Sequence, residues 1–476
     1  MYAHYLKKWP MLGSTIMATM LQHRGHEVKI CNENLTGSVL DDDATMAELM
    51  EADFIGLTAL TASVARAYEI AARLKTAGAK ARVAIGGPHV TFMPEEAIRY
   101  VPCVVRGEGE NVIVDLVESS EPITGIIDGQ PMENLDDLPT PDIFLVHKHE
   151  EMWKNTAAFM DSYEVPMSSS RGCPHNCRYC CVTPMYGHRC KFRSVEKVYQ
   201  DIKFYHDRGF RSFFFYDDNF MADRQRTRRL LELIKPLNIR WNAQCRIDFP
   251  WIDTASRTKV DVDLLRAMKE SGGDVLYIGY ETIDDATARQ WKKGYKGEQP
   301  LADRMAEDTR ILHDYGACIH GMFVIGPQHD IATLSRIVDF ALANKIDSLQ
   351  MSILTPFPGA QIMEDMRNDL IFKDFPHDWR YFDAAHVVYH HRKLGNKALQ
   401  EALIEYHRQY YHGLLHQWGR MRRMFFGRQG PAHRRIITGV RSALRVRKLF
   451  NCWKQETADF LAETARRGRQ YLHPAE

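Results

Sequence analysis

Between Met11 and about Gly125 the hydrophobic positions switch repeatedly between a helical period and short β-branched runs. The pattern predicts a helix from Met11 to His23, strands at Val28–Cys31 and Phe54–Leu60, a helix over Ser63–Ala77 and a strand at Arg82–Ile85. Such a rhythm is that of a parallel α/β sheet. Glycine-bearing turns follow strands at Gly86-Gly87-Pro88-His89 and Gly107-Glu108-Gly109-Glu110. An open doubly wound sheet places its ligand loops there, so these turns are expected to border a pocket.

A second α/β rhythm begins after a proline-containing connector. Runs at Pro166–Ser170, Ser212–Tyr216, Arg240–Cys245, Val275–Tyr280, Ile319–Ile325 and Ser348–Leu354 alternate with helical stretches at Val195–Arg208, Arg224–Lys235, Asp261–Ser271 and Ala302–Tyr315. Six strand-helix repeats imply a parallel TIM-type barrel, complete or partial. Beyond Pro358 the strand signal fades, and Ala398–Gly419 reads as an aromatic-rich helix. The expected organisation is a Rossmann-like sheet over 1–133, a linker over 134–165, a (βα)6 barrel over 166–360 and a helical C-terminal cap over 361–476.

Length and composition exclude other classes. At roughly 150 residues per domain, 476 residues make about three units. With 45% hydrophobic and 26% charged residues, neither a disordered chain nor an integral membrane protein is expected. Lys7 and Lys8 before the run Met11–Leu21 imitate a signal peptide, but Gly13, Ser14, Thr15 and Thr19 interrupt that run and no A-x-A site follows, so it reads as an amphipathic helix and the chain as cytoplasmic. Four of the ten cysteines crowd between Cys173 and Cys181, which suggests a metal in a reducing compartment rather than disulfides.

The crowded segment, Cys173-Pro-His-Asn-Cys177-Arg-Tyr-Cys180, is a C-x3-C-x2-C loop directly after the first barrel strand, where parallel barrels carry their catalytic loops. Three thiolates at this spacing can hold three irons of a [4Fe-4S] cluster and leave the fourth open. The competing reading is a zinc knuckle, but Cys190 and His175, the nearest further ligands, lack the paired spacing of structural zinc sites. The motif and barrel resemble the radical S-adenosylmethionine superfamily. The segments "GHEV", "IGLTALTASVARA", "IGGPHVTFMPEEAI" and "VVRGEGE" look like the cobalamin-binding domain of the subgroup that contains the anaerobic magnesium-protoporphyrin ester cyclase and hopanoid-pathway radical enzymes. The likeness covers about residues 10–360.

The resemblance implies that the cluster, on Cys173, Cys177 and Cys180, cleaves S-adenosylmethionine to a 5′-deoxyadenosyl radical that abstracts hydrogen from an unactivated carbon. It places Tyr179 beside the adenine, with the extra Cys181 left to packing. Asp217, Asp218 or Asn219 would hold the ammonium of S-adenosylmethionine, with helix capping the alternative for such residues. Glu281, in a G-x-E segment, would accept from ribose hydroxyls or else form a surface salt bridge. Arg246, on one strand face with Gln244, would pair with the carboxylate. Gly326 would lie beside adenine or simply end its strand. The signature-like Thr355-Pro356-Phe357-Pro358-Gly359 would shape the barrel rim.

For the cobalamin domain, Thr58 and Thr61 place hydroxyls at a strand end, and Gly86, Gly87 and Gly109 allow close backbone approach to a bulky ligand. The chain departs from some cobalamin proteins in having no D-x-H-x-x-G, so no lower cobalt ligand can be named. Only Met1–Trp9 are available for the family's first strand, with Tyr2–Leu6 a poor substitute. His89 is expected to make a local hydrogen bond in its turn rather than bind cobalt.

The tail is basic. Between Tyr406 and Gln455 stand twelve Lys/Arg and no Asp/Glu, with Arg420–Lys448 alternating basic and apolar residues. This reads as a surface for anionic lipid, giving peripheral membrane association, or as a solvated face. No RNA module is present, and nucleic acid is not an expected partner. Two reactions remain open: C-methylation through cobalamin, and cobalamin-assisted oxidation, cyclisation or ring rearrangement. The substrate would be a small, hydrophobic molecule and the reductant a flavodoxin or ferredoxin. A non-enzymatic iron-sulfur or metal-binding protein is the reading from another class.

Overall fold

The computed structural model describes residues 11–147, 163–295, 297–415 and 451–466. Four parallel strands form the N-terminal sheet in the order β1 (Phe54–Thr58), β2 (Arg82–Gly86), β3 (Cys103–Gly107) and β4 (Gly125–Gly129). The helix Val64–Ala77 covers it with Val64, Ala67, Tyr68, Ala71 and Leu74, a helically spaced apolar stripe, and stops at Gly78 in the left-handed conformation. The expected strand at Val28–Cys31 shrinks to one bridge between Ile30 and Val146. Ile30 donates to Leu145 O and accepts from His147 N–H, so this run pairs with the connector instead of the sheet.

The second sheet is parallel throughout, in the order β5 (Glu164–Met167), β6 (Ser212–Phe215), β7 (Arg240–Arg246), β8 (Gly273–Glu281), β9 (Cys318–Ile325) and β10 (Ser348–Ile353). Helices follow at Val195–His206, Arg224–Ile234, Val262–Glu270 and Leu301–Asp314, within a few residues of expectation, and at Ile331–Ala343, which was not expected. This is the partial barrel read from the sequence. Strand alternation sorts the two faces. Ile319, Phe323, Leu349 and Met351 are buried towards the helices, whereas His320, Met322, Ser348 and Gln350 alternate with them, half-exposed to a central cavity.

Behind the barrel rim, the cap residues Trp379, Tyr381, Phe382 and Tyr389 are buried in the core. The helix Asn396–Leu415 lies against the helix Ile331–Ala343, and segment 451–466 adds Phe460 against Tyr381 and His386. No helix among the described residues is long and apolar enough to cross a membrane. The basic stretch Arg420–Lys448 and the segment Tyr2–Leu6 lie outside the described residues.

Two glycines make opposite forecasts. At Gly272, φ is +91° and a Cβ would stand 1.9 Å from the Ile239 carbonyl oxygen, so Gly272→Ala should cost the fold. Gly13 sits in a helix with nothing within 4 Å of its Cβ position. We expect Gly272→Ala to lower stability by more than about 1 kcal/mol and Gly13→Ala to be neutral or stabilising, both read from the thermal unfolding midpoint.

Candidate functional site

The chain leaves β5 and ties down four successive residues before it reaches the first cysteine. Ser169 donates through its backbone N–H and its hydroxyl to Asp217, and the Ser170 hydroxyl donates to the same carboxylate. Arg171 reaches the N-terminal sheet, with Nη1 on Glu108 at 2.5 Å and Nη2 on Glu110 at 2.7 Å. The Gly172 N–H donates to Asp218 at 3.1 Å. Gly172 has φ +90°, and its Cβ would lie 2.3 Å from the Arg189 carbonyl oxygen, so no other residue fits. A short hairpin, Ser170–Arg171 with Lys191–Phe192, braces the loop from the other side.

Cys173, Cys177 and Cys180 are half-buried free thiols whose charges sense one another. Burial raises the Cys173 thiol and pushes Cys180 up to about 12, a cost that a cationic metal would reverse. No group of three or more His, Cys, Asp or Glu among the described residues converges to hold a single metal ion. A cubane does not ask for such convergence on one ion, because each thiolate takes a different iron corner. Cys181 caps the short helix Val182–Tyr186 and packs on the core.

Beside Cys177 lies a buried nest of charge and aromatic rings. Tyr179 meets Trp291 edge-on at 5.6 Å, and Trp291 in turn fills the space where Gly326 would carry a Cβ, 2.8 Å away. Gly326 therefore permits ring packing and does more than end β9. Glu281, held at φ +64°, pairs with Lys293 at 2.9 Å, so its salt bridge is buried rather than superficial. Burial opposes the Lys293 charge, but Glu281 and Tyr295 together with Cys177 outweigh it and leave Lys293 above the ordinary lysine range. Arg246 is bidentate on Asp248, donates to the Lys293 carbonyl at 2.8 Å and lies over the Tyr295 ring. Its guanidinium is thus already matched to a carboxylate of this chain. Burial and then Arg246 drive His175 down to about 4.

The three candidates after β6 separate. Asp217 is fully enclosed and engaged by Ser169 and Ser170, which removes it from contact with a ligand. Asn219 is also buried. Asp218 alone lines the central cavity, and burial raises it to about 6. None of them caps the next helix, because Asp223 does.

On the facing side, Thr58, Gly86, Gly87 and Gly109 line the same cavity, whose volume is about 2290 Å³. Gly87 has φ +105°, and a Cβ there would stand 2.8 Å from the Ala59 carbonyl oxygen. Thr61 turns away to contact His89, which is buried, 3.3 Å from Thr61 Oγ1 and 3.4 Å from Glu96. His89 is therefore held locally and off the cavity. Sequence reasoning missed Arg171, Asp248, Lys293 and Tyr295, and only the basic-aromatic turn Trp291–Tyr295 offered a signal for the last two.

Residues 1–117 match the B12 binding domain family, and residues 167–341 match the radical SAM superfamily. The chain thus carries a B12 binding domain followed by a radical SAM domain. An uncharacterized methyltransferase of Pyrococcus horikoshii is 29% identical over 75% of this chain and 78% of its own length. The bacteriochlorophyllide d C-12(1)-methyltransferase of Chlorobaculum tepidum is 26% identical over 84% and 82%. The anaerobic magnesium-protoporphyrin IX monomethyl ester cyclase of Rubrivivax gelatinosus, from the subgroup the motifs resemble, is 23% identical over 77% and 68%. In fold, the chain matches the radical SAM methyltransferase TsrM of Kitasatospora setae with TM-score 0.59 and 17% identity, over 76% and 74% of the two chains. A radical SAM domain together with methyltransferase and cyclase relatives marks the chain as an enzyme.

The Arg171 clamp gives a direct test of how the two halves of this radical SAM protein are joined. Arg171→Met leaves two buried carboxylates facing each other and should cost about 3–5 kcal/mol, seen as a lower unfolding midpoint. Arg171→Met combined with Glu108→Gln and Glu110→Gln should recover a large part of it.

Proposed function

We propose that the chain is a cobalamin-dependent radical S-adenosylmethionine enzyme that methylates an unactivated carbon of a small molecule. One observation carries the reading: a single cavity runs from Thr58, Gly86, Gly87 and Gly109 to the inner face of the barrel, past Asp218 beside the cysteine loop. Transfer between a group held by one sheet and a substrate held by the other needs such a shared, sheltered space. When bound, the [4Fe-4S] cluster with S-adenosylmethionine supplies a 5′-deoxyadenosyl radical, and cobalamin supplies the methyl group.

The chain's own residues orient these groups. Cys173, Cys177 and Cys180 would hold the cluster through three irons. Tyr179, fixed by Trp291, offers a ring to adenine. Asp218, facing the cavity, is the carboxylate placed to take an ammonium, and Glu281, held by Lys293, is the acceptor for ribose hydroxyls. Arg246 acts here as a brace through Asp248 rather than as a carboxylate ligand. Thr58 and the flanking glycines form a neutral, hydroxyl-bearing floor suited to an amide-rich macrocycle.

The second reading, cyclisation or oxidation, is favoured by the cyclase relative. Both readings are separated by one experiment. Anaerobically loaded protein is incubated with S-adenosylmethionine deuterated at its methyl group, a flavodoxin reductant and a small-molecule extract. Methylation predicts a carbon-bound deuteromethyl product and 5′-deoxyadenosine with wild type, and neither with Cys177→Ala. A product lacking the label would shift the function to cyclisation, and absence of 5′-deoxyadenosine from well-loaded wild type would overturn the radical reading.

A further inference from the structure

The loop after β1 borders the cavity with Thr58, Leu60 and Ser63, while Thr61 between them is buried on the other side. A chain of side-chain contacts holds it there. Thr61 Oγ1 lies 3.3 Å from His89 Nδ1, His89 Nε2 lies 3.4 Å from Glu96 Oε1, and the Trp379 indole N–H donates to Glu96 Oε2 at 2.9 Å. Tyr68, on the helix behind the loop, donates to Glu96 Oε1 at 3.2 Å. A backbone bond from the His89 N–H to the Ala59 carbonyl ties the same two turns together. Thr61, Tyr68, His89, Glu96 and Trp379 are all buried, so water is a poor substitute for any of these partners.

The chemistry of the chain gives each link a direction. An ionised carboxylate only accepts, so Glu96 takes the Nε2–H of His89 along with the donors of Trp379 and Tyr68. In the neutral ring Nδ1 is then left as the acceptor for the Thr61 hydroxyl. The contacts also span segments far apart in the sequence. His89 lies in the turn after β2, Glu96 in the short helix Pro94–Ala97, and Trp379 in the cap turn His377–Tyr381, which packs directly against Thr61–Ser63. Trp379 is itself fixed, stacked on Phe375 at 3.7 Å and edge-on to His89 at 5.0 Å. His89, Glu96 and Trp379 lie outside the cavity lining, so their influence on its contents passes through the loop.

We propose that Trp379 and Glu96 are positioning residues for cobalamin: acting through His89, they hold Thr61, and with it the cavity-bordering loop after β1, in the conformation that receives the cofactor. The inference rests on the cobalamin part of the reading above and is independent of whether the reaction is methylation or cyclisation. The C-terminal cap thereby belongs to the cofactor site without touching the cofactor. A loop held in its competent conformation for only a fraction of the time lowers the apparent affinity by that fraction, so a donor lost in the cap is felt at the cavity.

The test is a double-mutant cycle on the full chain, loaded anaerobically with its cluster and dialysed to equilibrium against hydroxocobalamin, with bound cofactor read from its visible absorbance. Trp379→Phe keeps a ring in place and loses the N–H, and Thr61→Val keeps the shape and loses the hydroxyl. Each is expected to weaken hydroxocobalamin about tenfold. The double variant is expected to bind no more weakly than the weaker single, because both changes break one chain. Unfolding midpoints are measured alongside, and Glu96→Gln takes the place of Trp379→Phe in the cycle if that variant does not fold. Single variants that bind like wild type overturn the inference and leave the cobalamin reading intact. A double variant weakened by the product of the two single effects also overturns it, since each residue would then act on its own. A folded wild type that takes up no hydroxocobalamin overturns the cobalamin reading, and the positioning role falls with it.

Discussion

A carboxylate buried as completely as Asp217 requires donors, and it draws them from the segment that leads to Cys173. Because Ser169 and Ser170 are fixed by that carboxylate, Arg171 must leave the barrel towards Glu108 and Glu110, and Gly172 must turn at positive φ onto Asp218. The cysteine loop therefore starts from a backbone already oriented by both sheets. Burial raises Asp217 above the ordinary aspartate range while its hydrogen bonds and Arg226 oppose the rise. The site's geometry depends on that balance more than on any property of the thiols themselves.

The same coupling recurs on the far side of the sheet. Glu96 is buried, yet His89, Trp379 and Tyr68 bring it below the ordinary glutamate range by bonding to its charged form. Trp379 belongs to the C-terminal cap, so this network joins cap and N-terminal sheet just as Arg171 joins barrel and sheet. Gly359 adds a steric counterpart, since a Cβ there would strike the Phe92 ring at 2.4 Å. Three separate contacts thus fix the width of the space between the two sheets.

The alternation of strands and helices was legible because burial imposes period, and period is local. The six barrel strands and the three-cysteine loop could be read for that reason. Val28–Cys31 could not, because an apolar run does not state its partner: Ile30 found Val146, far along the chain. The same limit governed the site. A motif names residue types, so Asp217, Asp218 and Asn219 were equivalent in sequence, and only the direction of each side chain separated Asp218, on the cavity, from the enclosed Asp217 and Asn219. Arg246 illustrates the converse, as its partner Asp248 lay two residues away and still went unread.

Faces of the barrel strands carry the final consequence. In a closed, filled barrel the inward residues are large, branched and buried, whereas here the inward positions of β9 and β10 are the more exposed ones and the outward positions form the core. The fold is therefore stabilised by outward-facing rings such as Trp241 and Phe215, which pack with Phe220, while the inward positions of β9 and β10 carry less of that duty. Side chains that the core does not enclose can be set by the cavity they border. That division explains how one sheet can present the cysteine loop at its rim and half-exposed side chains such as Met322 and Gln350 at its centre, with the two differing in chemistry although they belong to the same sheet.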